Sequence, residues 1–266
     1  MRRVAVIAGQ GELPLQMARH VASANAMPVV FAVSGQADAD YSDFETHEIA
    51  LGSIGRTRDL MVEAGCRELV MIGKIQRPPF SKLKPDTAAL GLLAKVIGKG
   101  DDALLRVLSS YFAEAGITTI SNDEFMPSAV MLAGVMAGQI SDAATLDISV
   151  GMAVLDALGH HDVGQGVVVQ DGRVLAVEAA EGTDVMLERV EGLIDPDGPE
   201  AVFVKLPKSG QDGRLDQPVV GMATLNRAAS SGIKVMALGA GGVLVAGEQS
   251  ALWDRATEIG VAVVGI

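Results

Sequence analysis

The acids best placed for chemistry fall in two short stretches of the second half of the chain. "VEAAEGTD" holds Glu178, Glu181 and Asp184, and "PKSGQDGRLDQP" holds Asp212 and Asp216 with Lys208 and Arg214 between them. Each stretch follows an apolar, strand-like run, "RVLAV" and "AVFVKL", so five carboxylates collect where strands are expected to end. Like charges at that density repel one another unless a cation or a shared proton lies among them. One cysteine, Cys66, and four scattered histidines, His20, His47, His160 and His161, provide no thiolate or imidazole set for zinc. The oxygen-rich inventory suits Mg²⁺ or Mn²⁺ instead. A purely structural role competes with this one: Asp184 would cap a helix starting near Val185, and Glu178 would pair with Arg189 or Arg214.

The first half offers a different chemistry. "IAGQGELP" places Gly9, Gln10 and Gly11 between an apolar strand and a helix, where backbone N–H groups can approach a phosphate. The third glycine of the dinucleotide fingerprint is missing, as is a phosphate-loop lysine, so a tight turn without a ligand is an equal alternative. "GKIQRPPF" leaves the end of another expected strand, which is where open α/β sheets bind ligands, and its Lys74 and Arg77 suit a phosphate. The alternative is a solvated basic loop stiffened by Pro78 and Pro79. Asp101 in "GKGDD" belongs either to the polar edge of the same cleft or to a helix N-cap.

The elements that must carry these residues follow from periodicity. Strands at Val4–Ala8, "MPVVFAV", "THEIAL" and Glu68–Ile72 alternate with helices over Leu13–Ser23 and Ile54–Ala64, a pattern that predicts a doubly wound parallel sheet. Two helices parted at Gly98–Asp101 and a strand at Thr118–Ser121 follow. After a boundary between Ser121 and Thr145 the texture changes. A long helix over Ala143–Leu158 precedes a hairpin turning at Gln170-Asp171-Gly172. Helices over Met222–Ser231 and Glu248–Ile259 flank a second hairpin-like pair around Gly239–Gly242. The expected organisation is a parallel-sheet nucleotide-binding domain, residues 1–130, followed by a mixed α/β domain, residues 140–266. Met-rich Met126–Met136 suits core packing or a dimer contact, and Cys66 suits small apolar packing.

Composition sets the limits. Of 266 residues 49% are hydrophobic and only 3% aromatic, with a mean hydropathy of +0.33, so the core must be built from aliphatic side chains in layers. A formal net charge of -12 argues against nucleic-acid binding and against attraction to anionic lipid. No apolar run approaches the roughly 18 residues of a membrane span. The opening Met1-Arg2-Arg3 runs straight into "VAVIAG" rather than a secretion signal, so a cytoplasmic location is expected.

Taken together, "DVGQGVVVQDGRVLAVEAAEGTD" (Asp162 to Asp184), "KSGQDGRLDQPVVGMAT" (Lys208 to Thr224), "IAGQGELP" and "IGKIQRP" resemble the LpxI-type UDP-2,3-diacylglucosamine pyrophosphatases of lipid A biosynthesis. The resemblance runs nearly end to end and in the right order. It implies a Rossmann-like UDP-binding domain followed by a hydrolase domain with its own fold. It also implies Mg²⁺-dependent attack of water on the α-phosphorus of UDP-2,3-diacylglucosamine, releasing UMP and 2,3-diacylglucosamine 1-phosphate (lipid X). Asp216 matches the position associated with catalysis in that family. Asp212 and Asp216 would then ligate the metal or orient water, with Glu178, Glu181 and Asp184 as further metal ligands, while Lys208 and Arg214 offset phosphate charge. A non-catalytic sugar-nucleotide-binding protein and a sugar-nucleotide transferase are the alternatives. Peripheral contact with the inner membrane and a homodimer are both compatible with this reading.

Overall fold

Val4 to Ala8 is an apolar run too short for a helix and bounded by Arg3 and Gly9, and it forms the middle of a parallel sheet. In the computed structural model, which describes residues 1–76, 83–98 and 100–266, the chain divides into two units. One comprises residues 1–128 with 212–216, the other residues 129–211 with 217–266.

In the first unit β1 (Arg3–Ala8) pairs in parallel with β2 (Met27–Val33) and, on its other side, with β4 (Glu68–Ile72). Strands β3 (Glu45–Ile49) and β5 (Thr118–Thr119) complete the order β3-β2-β1-β4-β5, all parallel. Alternation along the strands serves both faces. Ala5, Ile7, Val29 and Phe31 pack with Met61 of α2 (Ile54–Glu63) and Phe112 of α4 (Asp101–Ala113), while Ala8 and Val30 turn toward Ala18 of α1 (Leu13–Ser23). Each fully buried Val, Phe or Met among these contributes about 1.5–3 kcal/mol. Asp86 caps α3 (Thr87–Lys95) by accepting from Ala89 N at 2.8 Å, and its second oxygen accepts from Gly55 N in the first turn of α2 at 2.8 Å. Cys66 is buried as expected, and burial pushes its thiol up to about 11, which leaves it inert.

The second unit holds a six-stranded mixed sheet ordered β6 (Gly134–Ala137), β13 (Ala262–Gly265), β11 (Ile233–Leu238), β9 (Ala201–Lys205), β7 (Gly166–Gln170), β8 (Arg173–Val177). Strands β9, β11 and β13 are parallel; β6 runs against β13, β7 against β9, and β8 against β7. One face is covered by α5 (Asp142–Gly159), whose N-cap Ser141 accepts from Ala144 N at 3.1 Å. The other carries α6 (Gly182–Val190), α7 (Met222–Ser230) and α8 (Gln249–Glu258). The turn between β7 and β8 places Asp171 and Gly172 both at positive φ, as a two-residue hairpin requires. Buried Asp147 of α5 accepts both turn amides, Asp171 N at 2.9 Å and Gly172 N at 2.7 Å.

Two expectations need correction. Leu244–Val245 does not hairpin with β11, whose two edges are already occupied by β9 and β13. As β12 it pairs in parallel with β10 (Val219–Val220) in a separate small sheet. Met126 and Met131 are buried, in keeping with core packing of the Met-rich stretch, and Gly134–Ala137 at its end forms strand β6, antiparallel to β13. The strand expected over Thr118–Ser121 ends at Thr119. Among the described residues no helix is long and apolar enough to cross a membrane.

Candidate functional site

Chain topology makes the first cleft. From β1 the chain moves to β2 and β3 on one side and later to β4 and β5 on the other, so the carboxyl ends of β1 and β4 flank the point where the winding reverses. The two loops leaving there are joined. Gly9 N donates to Ile72 O at 2.9 Å, Gln10 N to Lys74 O at 2.9 Å, and Lys74 N to Gln10 O at 3.1 Å. A β-carbon on Gly9 would lie 2.7 Å from the Lys74 carbonyl oxygen, so only glycine permits this approach. The structure therefore brings Gly9, Gln10, Gly11 and Lys74 together, with the Lys74 side chain exposed. Arg77 lies outside the described residues. Asp101 begins α4, but the N-cap is Gly100, and Asp101 sits in the first helical turn with Asp102.

Sequence reasoning missed two residues of this rim. Gln36, just past β2, donates from Nε2 to Gln76 O at 3.0 Å and accepts from Gln76 N at 2.6 Å. Asp38 accepts from Gly11 N at 2.9 Å. Their position immediately after the strand that neighbours β1 was the available signal.

A second polar set gathers at one edge of the six-stranded sheet. The carboxyl ends of β8 and β9 and the start of β7 share that edge, because Gly166 pairs with Lys205 and Val167 with Val177. Glu178 does not pair with Arg189 or Arg214. Its partner is Lys205, 3% exposed at the end of β9, whose Nζ lies 3.3 Å from Glu178 Oε2 and donates to Thr183 Oγ1 at 2.6 Å. Thr183 Oγ1 in turn donates to Glu178 Oε1 at 2.9 Å. Gly164 of "DVGQG" lets the chain pass over this acid, since a β-carbon there would be 1.9 Å from the Glu178 carbonyl oxygen. Lys208 pairs with Asp162, and Gln165 Nε2 donates to Gln211 Oε1 at 3.0 Å, so "DVGQ" and "KSGQ" are stitched side by side. A lysine closing the apolar run "AVFVK" was the visible anomaly that pointed to Lys205.

Three further acids, Glu181, Asp184 and Asp212, have cations of their own. Glu181 accepts from Arg189 Nη2 at 2.9 Å, and its carboxyl is lowered first by its own backbone amide and then by Arg189. Asp184 lies 4.0 Å from Arg227. Asp212 accepts from Arg214 Nε at 3.0 Å and Nη2 at 2.6 Å, and that guanidinium holds its carboxyl below the usual range. Arg214 N also donates to Asp212 Oδ1 at 3.1 Å, an Asx turn anchored by buried Leu215 ahead of half-buried Asp216. By its contacts, segment 212–216 belongs to the first unit. Among the described residues no three histidine, cysteine or acidic side chains converge as a cation-binding group. The five acids thus form no ready-made protein cage for a divalent ion.

Comparison with known proteins agrees with the arrangement of motifs. Residues 3–129 match the LpxI N-terminal domain, and residues 133–264 match the LpxI C-terminal domain. The UDP-2,3-diacylglucosamine pyrophosphatase LpxI of Caulobacter vibrioides is 35% identical to this chain over 281 aligned residues, covering 100% of this chain and 98% of that protein. The chain belongs to the LpxI family.

Proposed function

We propose that this chain is a hydrolase of the UDP-2,3-diacylglucosamine pyrophosphate bond, with water attacking the α-phosphorus. The bond from that phosphorus to the bridging oxygen breaks, UMP keeps the attacked phosphoryl group, and lipid X leaves with the bridging oxygen as part of its 1-phosphate. The observation that carries this reading is the end-to-end likeness to a relative named for that activity. The strand order β3-β2-β1-β4-β5 supports a Rossmann-like first domain, in which the glycine loop and Lys74 hold the nucleotide phosphates.

The polar residues divide the remaining work. Asp216 orients the attacking water. Asp212, kept ionised by Arg214, holds the loop turn in shape. Lys208 and Arg214 offset charge on the phosphate oxygens. Mg²⁺, or Mn²⁺, is part of the proposal: Asp212 and Asp216 would hold it, since magnesium usually takes only one or two protein carboxylates. When bound it neutralises phosphate charge. Glu178, which already bonds Lys205 and Thr183, is left out of that set in this reading.

The deciding experiment incubates the chain with UDP-2,3-diacylglucosamine and follows UMP and lipid X, with Mg²⁺ and with EDTA. Stoichiometric UMP and lipid X that vanish with EDTA are expected. Binding of the substrate without release of UMP would leave a sugar-nucleotide-binding protein, and transfer of the sugar phosphate to an added alcohol would leave a transferase.

A further inference from the structure

We infer that Asp38 reads the ribose hydroxyls of the nucleotide bound by the first unit. The inference rests on the proposed function, which puts a uridine nucleotide at the carboxyl ends of β1 and β4. Asp38 stands five residues past the end of β2, 27 residues beyond Gly11, and accepts from the Gly11 amide at 2.9 Å. It is therefore an acid delivered onto the glycine loop itself. Its second carboxylate oxygen has no donor among the described residues, and the side chain is exposed. A carboxylate would repel the phosphates of the ligand but accepts well from a pair of neighbouring hydroxyls. Lys74 lies on the opposite loop, so the two charges orient the nucleotide with its phosphates toward the lysine and its sugar toward the acid.

Two further observations support the placement. Gln36 clasps the backbone of Gln76 through both a donor and an acceptor, which fixes the loop carrying Asp38 beside the loop carrying Lys74. The Tyr41 side chain is only 6% exposed, yet its hydroxyl has no hydrogen-bond partner among the described residues. A buried unpaired hydroxyl is costly and calls for a partner. Burial, and then the nearby charge of Asp38, raise the Tyr41 phenol above its ordinary value. A simple structural clasp on Gly11 would use a neutral acceptor equally well and would not distinguish one sugar from another.

The test is calorimetric binding of UDP and of 2′-deoxy-UDP to the full chain, comparing wild type with D38A and D38N. Wild type should prefer UDP on the order of tenfold to a hundredfold, the value of a hydrogen bond to a charged group. D38A should bring the preference below about twofold by weakening UDP alone. D38N keeps an acceptor for Gly11 and so covers the case in which D38A fails to fold; it too should lose most of the preference, because its bond to the sugar is no longer charge-assisted. Equal binding of the two nucleotides by wild type, or an undiminished preference in either variant, would overturn the inference. Wild-type UMP release is measured alongside. Normal release without ribose preference sinks this assignment alone, whereas absence of both UDP binding and release sinks the function on which it rests.

Discussion

Replacing Lys205 with Met should be among the most damaging single changes in the second unit. Lys205 is 3% exposed and Glu178 9% exposed, and each satisfies the other through a 3.3 Å ion pair and a shared Thr183 hydroxyl. Methionine fills the lysine's volume but leaves the Glu178 carboxylate buried without its cation. Breaking a buried pair in this way costs about 3–5 kcal/mol, against a total domain stability of roughly 5–15 kcal/mol. The second unit has about 130 residues. At about 2.1 cal/mol/K per residue its unfolding entropy is about 0.27 kcal/mol/K, so Tm should fall by roughly 11–18 °C. Differential scanning calorimetry at neutral pH measures it, reading the transition assigned to the second unit. The double variant Lys205→Met with Glu178→Met removes both charges and should recover at least half of the loss, since an apolar replacement of a buried pair is often neutral. A single variant melting within about 3 °C of wild type, or a double variant no more stable than the single, would refute the reasoning.

Asp216→Ala should leave Tm within a few degrees of wild type, because a half-buried loop carboxylate contributes little packing, while UMP release falls at least about a hundredfold. Near-normal turnover would move the water-orienting role to Asp212. Asp147→Ala removes both acceptors of the β7–β8 turn and should cost about 2–3 kcal/mol, with faster hydrogen exchange confined to the Asp171 and Gly172 amides; unchanged exchange there would contradict the assigned bonds. Arg214→Gln should raise the Asp212 carboxyl toward its ordinary 3.8. A depressed folded value gives stability that is present above the unfolded value and lost as pH falls through the folded one, so the wild-type Tm should drop below about pH 4 more steeply than the variant's. Parallel Tm profiles from pH 5 to 2 would contradict it.

Much of the fold was legible because its elements are locally specified. The apolar runs Val4–Ala8 and Glu68–Ile72, the glycines that follow them and the helical periodicity between them identify each strand and helix without reference to the rest of the chain. Asp171-Gly172 signals a hairpin because only such residues take two positive φ values in succession. Strand β6 was not legible, because four residues at a sheet edge, two of them exposed, leave no alternating pattern. The pairing of β12 was not legible either, because it depends on β11 already having neighbours on both sides.

The sites divide in the same way. By itself the sequence determined which residue types were available: the glycine loop, Lys74, and acids in excess at the ends of apolar runs. Tertiary structure decided who pairs with whom. Lys205 meets Glu178 across 27 positions, Asp38 meets Gly11 across 27, and Gln36 meets Gln76 across 40. The physical reason is that propensity and hydrophobic period act over a few residues, whereas an ion pair or clasp between loops exists only once parallel strands with long crossovers have carried both ends to the same sheet edge.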